Sequence, residues 1–356
     1  AVWFDTGTPD WKKISIEGMP RVKIEKKPKM VEAEKSQPAE KYVGKSDRIV
    51  FGCPTDLTRN IAMLSLPIIA GIELVFNEVN EKGGIRGRRL VLQSVDDQYT
   101  PEITKRQAEE LINVNKIDMF LSPVGDPTIL AYLNLVKEGR VLVLFPYAAS
   151  IALRKPDLKY LLHFRASLTE EGYALARYAV ETMQAKKIAI FYQTDIPSVD
   201  GIKDYFNKNG FEDYKEVTYE RNATNFDIQV QMIRDFQPDC VIDFAIPKAS
   251  LEFIRQYGVE NLAGKHLLAW SVLYTEQFKK SMHDKGLHFV FGSPLPNPET
   301  SDLPIAKEFR QACQKNELQP VFFTFEGYLN ARILVEILKK IEGPITKENI
   351  IQTTES

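Results

Sequence analysis

From residue 48 onward, short apolar runs alternate with segments of helical periodicity, and this alternation restricts the folds that the chain can adopt. The first set of predicted strands lies at 49–51, 90–95, 118–122 and 141–145, with helices between them at 60–82, 102–115 and 127–138. Strand–helix alternation of this kind builds a parallel sheet that is covered by helices on both faces.

The alternation restarts after residue 168. Helices are predicted at 169–184, 199–209, 226–236, 303–316 and 324–341, and strands at 187–192, 214–219, 240–245, 266–270 and 288–292. A further helix is predicted between the last two of these strands. Two doubly wound sheets predict an α/β fold of two lobes, with 48–165 and 293–345 in lobe 1 and 166–292 in lobe 2. Ligands of open α/β sheets bind beyond the carboxyl ends of the strands. The candidate loops therefore follow Phe51, Leu121, Phe145, Tyr192, Phe244 and Trp270.

The two ends of the chain differ from this body. Residues 1–47 carry nine lysines and four prolines, a composition typical of a solvated segment. Trp3, Phe4 and Trp11 are large apolar side chains that a free tail would leave in water. We therefore predict an extended arm that lies on the body or on a neighbouring molecule. Residues 346–356 are predicted to begin a C-terminal segment that is incomplete.

Charge and hydropathy exclude two kinds of partner. The net charge of −2 gives no electrostatic reason to expect nucleic acid or an anionic membrane. The longest apolar run, 61–76, contains Pro67 and Glu73 and is too short to span a bilayer. We interpret it as a buried core helix, without direct membrane insertion.

Local motifs for catalysis, metals and cofactors are missing from the sequence. It contains no phosphate-binding P-loop, no dinucleotide fingerprint, no nucleophile elbow and no zinc-protease helix motif. Cys53, Cys240 and Cys313 lie far apart without zinc-ligand spacing, and an odd count leaves at least one thiol unpaired within the chain. We predict no catalytic residue, no metal and no cofactor, although an enzyme whose site is assembled from distant loops would leave no local motif.

The most specific stretch of sequence is FNEVNEKGGIRGRRL at 76–90, followed by Asp96-Asp97-Gln98. Gly83 and Gly84 suit the left-handed turn that stops a helix, and Gly87 suits a tight entry into a strand. This stretch resembles the type I periplasmic solute-binding proteins of the branched-chain amino acid family. Further segments with the same resemblance are 56–58, 71–73, 145–150, 164–167, 185–189, 225–227, 237–239 and 327–328.

The resemblance extends over about residues 48–345 and implies a function. It implies a periplasmic or otherwise extracytoplasmic receptor whose lobes, joined by a multi-strand hinge, close on a small polar molecule. Such a receptor delivers its ligand to the membrane permease of an ABC transporter. A sensor with the same fold, the ligand-binding domain of a signalling receptor, is the alternative.

The resemblance and the candidate loops together predict the residues that contact the ligand. The predicted set is Thr58, Asp126, Thr128, Tyr147, Ala148, Ser150, Ser198, Ile246, Trp270, Tyr274 and Phe325. Trp270, Tyr274 and Phe325 are candidates for apolar walls of the cleft.

Several family positions differ here, which bears on the ligand. Asp126 stands where the amino acid binders have a serine that receives the ligand's carboxylate, and Ser198 stands where they have a tyrosine. The segment 246–248, which follows the strand that often precedes an ammonium-binding acid, carries no acid. We therefore predict that leucine, isoleucine and valine do not bind tightly. Asp126 has a second interpretation, as the N-cap of the helix predicted at 127–138.

Overall fold

The computed structural model describes residues 3–5, 47–148, 150–195 and 199–355. Its strands form two sheets. Counting Trp3–Asp5 as β1, the first sheet contains β2 Arg48–Thr55, β3 Arg89–Asp96, β4 Met119–Leu121, β5 Leu142–Leu144 and β6 Leu161–Leu162. The second contains β7 Ile188–Gln193, β8 Tyr214–Tyr219, β9 Cys240–Phe244, β10 His266–Ala269 and β11 Phe289–Ser293, with β1 at its edge.

The strand orders are those of doubly wound sheets. The first sheet runs β3-β2-β4-β5-β6 with every pairing parallel. The second runs β1-β11-β10-β9-β7-β8, and it is parallel except for β1, which pairs antiparallel with β11. The predicted fold of two mainly parallel α/β lobes is thus confirmed, and the boundaries near residues 165 and 293 stay a prediction.

Helices cover both sheets. In the first half of the chain they are α1 Ala62–Glu81, α2 Pro101–Asn113, α3 Asp126–Leu130 and α4 Leu133–Lys137. The later helices are α5 Leu168–Arg177, α6 Asp200–Asn209, α7 Asp227–Phe236, α8 Pro247–Tyr257, α9 Glu276–Asp284, α10 Pro304–Lys315, α11 Phe322–Lys340 and α12 Lys347–Glu355. The predicted helix at 127–138 is interrupted between α3 and α4. The elements β1, β6, α8 and α12 are absent from the predicted pattern.

Helix α1 packs against α11 with unusually close backbones. A Cβ atom added to Gly71 would lie 2.0 Å from the carbonyl oxygen of Thr324, and one added to Gly327 would lie 1.9 Å from that of Ile68. Real Cβ atoms do not approach other atoms so closely, so both positions require glycine. The contact fixes α11, which follows the second sheet in sequence, onto the helix that follows β2.

Helix α1 also bears on the expectation about membranes. The apolar run continues into a helix of 20 residues, so the prediction that it is too short to span a bilayer is wrong. Among the described residues, α1 is the single helix that is long and apolar enough to cross a membrane. Half of its apolar window is buried inside the protein, and the core helix of a globular protein meets the same criteria.

The N-terminal arm lies mostly outside the described residues. Its described part, β1, pairs Trp3 with Ser293 and Asp5 with Phe291 at the edge of the second sheet. Whether the remainder lies along the body stays a prediction.

Candidate functional site

The loops at the carboxyl ends of strands from both sheets enclose a small cavity of about 30 Å³. Its walls come from the loops after β3, β4, β5, β6, β9 and β10 and from the beginnings of α1 and α5. The lining residues are Ile61, Leu64, Tyr99, Val124, Gly125, Asp126, Tyr147, Ala148, Arg165, Leu168, Ile246, Trp270 and Val272. The position matches the rule for open α/β sheets, and the volume holds one or two water molecules.

The loops after β4 and β5 form most of the cavity wall on the side of the first sheet, and both begin with strained backbone. Ser122 and Phe145 directly follow β4 and β5, and each has a φ of 51°. This left-handed conformation is uncommon for residues other than glycine and is frequent at functional sites. The amide of Asn330 on α11 holds both, donating to Ser122 Oγ at 3.0 Å and to the Phe145 carbonyl at 3.3 Å.

Asp126 presents a carboxylate at the cavity wall. It is 6% exposed, and its Oδ1 accepts a hydrogen bond of 2.8 Å from the backbone N–H of Ser150. Asp126 is the first residue of α3, and Gly125 occupies the N-cap position. The interpretation of Asp126 as the N-cap is therefore wrong, and its carboxylate stabilises the neighbouring loop after β5.

A buried ion pair lies beside the cavity. Arg165 Nε is 3.2 Å from Glu326 Oε1, with 3% and 2% of the two side chains exposed. Arg165 Nη2 also donates to Ser271 Oγ at 3.0 Å. Burial alone would lower the pKa of Arg165, but the Glu326 carboxylate raises it above its usual range. Arg165 therefore stays charged, and Glu326 balances that charge.

A second buried carboxyl, that of Glu171 on α5, completes this cluster. Ser271 donates to it twice, through its backbone N–H and through Oγ at 3.0 Å. Burial raises the pKa of Glu171 to about 7. The cluster thus joins α5, the loop after β10, and α11 through one guanidinium.

Tyr147 links the cluster to the cavity. The guanidinium carbon of Arg165 lies 4.1 Å from the centre of its ring, an arrangement that attracts the cation to the π-face. Its phenol oxygen is buried. The hydroxyl lies beside Arg165 and Ser271, so Tyr147 belongs to the polar cluster as well as to the cavity wall.

Polar contacts also join the two sides of the cavity. Tyr99, which follows β3, lies close to the side chain of Gln193 at the end of β7. Asn60 donates to Asn222 and accepts from Lys248 Nζ at 3.1 Å. These contacts connect the loops of the first sheet with those of the second.

Five of the predicted site residues line the cavity: Asp126, Tyr147, Ala148, Ile246 and Trp270. Trp270 stacks on Phe244, with ring centres 4.8 Å apart, and its Nε1–H donates to the Ala245 carbonyl at 2.7 Å. Its ring therefore forms a fixed apolar wall.

The other predicted residues lie elsewhere. Thr58 is exposed and donates to Asp96 Oδ2 at 2.7 Å. Thr128 and Ser150 are buried behind the wall, where Thr128 Oγ1 donates to the carbonyls of Val124 and Gly125. Ser198 lies outside the described residues.

The two remaining aromatic candidates do not form walls of this cavity. Tyr274 lines a separate hollow next to Phe323. Phe325 is fully buried, with its ring centre 4.8 Å from that of Phe309. Side-chain size alone does not distinguish a wall residue from a core residue.

Sequence reasoning missed Tyr99, Arg165 and Leu168, together with the aliphatic residues of the wall. Arg165 stood within the quoted segment 164–167, and Tyr99 directly follows Asp96-Asp97-Gln98, so both were close to recognised motifs. The partners that place them are distant in sequence, which is why the motifs alone did not reveal their role.

The described residues offer little for metal or thiol chemistry. They contain no group of three or more His, Cys, Asp and Glu side chains that could hold a metal ion. All three cysteines are free and buried. His163 bonds through Nε2 to the Leu153 carbonyl at 2.9 Å, and burial lowers its pKa to about 4, so it serves as a neutral structural residue.

Comparison with known proteins identifies the family. Residues 48–356 match the family described as periplasmic binding protein, and the chain belongs to it. This confirms the resemblance, and the family is one of solute-binding proteins.

Individual relatives are distant. The chain is 25% identical over 142 residues to the Leu/Ile/Val-binding protein BraC3 of Rhizobium johnstonii, covering 40% of this chain and 38% of that protein. It is 20% identical to an amino acid binding protein of Pseudomonas aeruginosa, covering 74% and 71%. A crystal structure of a possible leucine/isoleucine/valine-binding protein from Rhodopirellula baltica has the same fold, with a TM-score of 0.80, 24% identity, and 89% and 88% of the two chains covered.

Proposed function

We propose that this protein is an extracytoplasmic solute-binding protein that captures one small polar molecule between its two sheets and delivers it to the permease of an ABC transporter. The observation that carries the proposal is the cavity itself. It lies between the carboxyl ends of two parallel sheets and combines apolar walls with a few buried polar groups, as small-molecule sites do.

The small volume of the cavity supports a site that opens and closes. About 30 Å³ does not accommodate a solute larger than a few atoms, so entry requires the two sheets to separate. Contacts such as that of Asn60 with Asn222 join a loop of the first sheet to a loop of the second. Hinge closure around a ligand is an established motion of two-lobed receptors.

Ligand capture is tested on the full chain. The protein is incubated with a bacterial metabolite extract, passed through a desalting column and analysed by native mass spectrometry. One bound compound per chain, released unchanged on denaturation, is expected. Small-angle scattering with that compound is expected to show a smaller radius of gyration. A compound that is chemically converted, or no retained compound at all, contradicts the proposal.

Delivery to a transporter is tested separately. The ligand-loaded protein is added to proteoliposomes that contain the ABC permease of the same organism, and ATP hydrolysis is measured. Stimulation by the loaded protein is expected. Ligand binding without stimulation would contradict delivery and favour the sensor.

A further inference from the structure

We propose that Asn330 is a positioning residue of the ligand site: its buried side-chain amide holds the turns that follow β4 and β5, and so places five of the residues that line the cavity. Asn330 is 2% exposed and is not among the lining residues, so it acts through the two turns and not on the solute. The inference rests on the proposed function, because it concerns the shape of the same cavity.

The two turns occupy equivalent positions on neighbouring strands. Leu121 pairs with Leu144 in the parallel register of β4 and β5, and the residues that follow, Ser122 and Phe145, both have a φ of 51°. Residues other than glycine rarely adopt this left-handed conformation, and a bulky residue such as phenylalanine does so least readily. Such a conformation persists only where surrounding contacts enforce it. Two of them side by side therefore require a contact that holds both.

The amide of Asn330 supplies that contact. Its Nδ2 donates to Ser122 Oγ at 3.0 Å and to the Phe145 carbonyl oxygen at 3.3 Å. An amide nitrogen carries two hydrogens, so one buried group satisfies an acceptor in each turn at the same time. A carboxylate at this position would bring only acceptors, and an aliphatic side chain would bring no polar atom. Both contacts therefore depend on the amide.

The turns determine where the cavity residues lie. Beyond them the two loops run side by side: the Gly125 N–H donates to the Tyr147 carbonyl at 3.1 Å, and the Tyr147 N–H donates to the Pro123 carbonyl at 2.9 Å. The loops supply five lining residues, namely Val124, Gly125, Asp126, Tyr147 and Ala148. A change of φ at either turn would redirect its loop and displace these residues together.

The helix that carries Asn330 is itself held firmly. Gly327, which lies one turn earlier on α11, rests against the backbone of α1, where an added Cβ would lie 1.9 Å from the Ile68 carbonyl oxygen. Glu326 lies four residues before Asn330 and therefore on the same side of the helix, and it forms the ion pair with Arg165 at the cavity wall. Helix α11 is thus fixed by packing and by charge, and Asn330 extends this support to both loops.

Hydrogen exchange of the full chain tests the inference without a ligand. Asn330→Leu keeps a similar side-chain volume and removes both hydrogen bonds. Peptides that cover 122–130 and 143–148 are expected to exchange at least tenfold faster than in the unmodified protein, after division by the change in a peptide that covers β9. Leu338→Ala is the control, because Leu338 is also buried on α11, about two turns farther along. It is expected to leave this ratio unchanged within twofold.

Glycine at residue 122 distinguishes a turn that must be held from ordinary loss of core packing. Glycine adopts a left-handed φ without strain and brings no hydroxyl for Asn330 to satisfy. Adding Ser122→Gly to Asn330→Leu is therefore expected to slow loop exchange at least threefold relative to Asn330→Leu alone. If Asn330→Leu does not fold, Ser122→Ala is compared with Ser122→Gly. Alanine keeps the strain without the hydrogen bond, so its loops are expected to exchange at least threefold faster.

The effect on ligand capture is measured with the bacterial metabolite extract as the probe. Native mass spectrometry compares the amount of bound compound that each variant retains after desalting. Asn330→Leu is expected to retain at least threefold less than the unmodified protein, whereas Leu338→Ala is expected to retain about the same amount.

Several results overturn the inference. They are loop exchange that rises no more in Asn330→Leu than in Leu338→Ala, no rescue by Ser122→Gly, equal exchange in Ser122→Ala and Ser122→Gly, and full retention of the compound by Asn330→Leu. The proposed function is judged separately. An unmodified protein that retains nothing from the extract refutes solute capture, while the exchange ratios still decide whether Asn330 holds the loops.

Discussion

Arg165 Nε and Glu326 Oε1 lie 3.2 Å apart in a place where both side chains are almost completely buried. Arg165 follows the last strand of the first sheet, and Glu326 lies on α11 beside Gly327. The pair therefore connects the crossover between the two sheets with the helix that returns to the first. Removing one partner of a buried ion pair leaves an uncompensated charge in the protein interior, which destabilises the folded state.

Removing Arg165 alone is expected to destabilise the protein severely. Arg165→Met leaves the carboxylate of Glu326 without its counter-charge and should lower the free energy of unfolding by about 3–5 kcal/mol. The double variant with Glu326→Gln should recover much of this loss. Arg140→Met, which breaks an exposed pair with Glu138, should lose less than about 1 kcal/mol. Urea unfolding measures all three, and equal losses for Arg165→Met and Arg140→Met would contradict the prediction.

Stability is expected to fall as the pH rises from about 6.5 to about 8. Burial raises the pKa of Glu171 and of Asp243 to about 7 in the folded state, above the ordinary values of the unfolded chain. The folded protein therefore holds protons that the unfolded chain has already released, so stability falls with rising pH until these groups ionise in the folded state around pH 7. Together the two groups contribute a decrease of about 1–2 kcal/mol over this window. Below pH 6.5, His163 opposes this decline in stability. Its pKa is lowered to about 4 in the folded protein, so the unfolded chain binds a proton that the folded protein does not, and this contribution to stability rises with pH.

Substitution measures the contribution of Glu171 and Asp243 to this pH dependence, to which Asp97 also contributes because burial raises its pKa to about 7. The double variant Glu171→Gln, Asp243→Asn should show a flatter decline in unfolding midpoint between about pH 6.5 and pH 8. Glu110→Gln, at an exposed position on α2, should decline like the unmodified protein. A decline in the double variant as steep as in the unmodified protein would show that other groups cause it.

Alanine is expected to be poorly tolerated at Gly71. Its Cβ would lie 2.0 Å from the Thr324 carbonyl oxygen, so α1 and α11 must separate and lose packing, at a cost of roughly 1–3 kcal/mol. Gly343→Ala is the control, since its Cβ would meet no atom closer than Asn349 Nδ2 at 3.5 Å. Thermal unfolding compares the two. A Gly71→Ala protein as stable as Gly343→Ala would mean that the helices are not in close contact.

The three thiols are expected to be unreactive while the protein is folded. Burial raises the pKa of Cys53 and Cys240, and it raises that of Cys313 to about 11, so almost no thiolate is present at neutral pH. A chromogenic disulfide reagent should modify all three in denaturant and react with the native protein at least a hundredfold more slowly. Rapid modification of native Cys53 or Cys240, located by mass spectrometry, would refute this.

The fold was predictable because it follows from local patterns. Apolar runs and helical periodicity alternate along the chain, and each of them predicts one strand or one helix from neighbouring residues alone. The interruption between α3 and α4 was not predictable in this way, since the apolar pattern continues through Ala131 and Tyr132.

The site was predictable only in part. Loops at strand ends were expected to meet, and Asp126, Tyr147 and Trp270 do line the cavity. Arg165 was missed because Glu326 and Ser271, which hold it, are remote in sequence. Phe325 and Tyr274 were assigned by side-chain type, and tertiary packing placed one in the core and the other in a separate hollow.

The glycine contact between α1 and α11 has a mechanical consequence. The first turn of α1 carries Leu64 at the cavity wall, and α11 carries Glu326 beside Gly327, whose backbone rests on Ile68. Because the two backbones are in direct contact, neither helix can shift along the other without the second following. The two helices therefore move as one rigid unit, so a ligand that displaces Leu64 also shifts Glu326, the partner of Arg165.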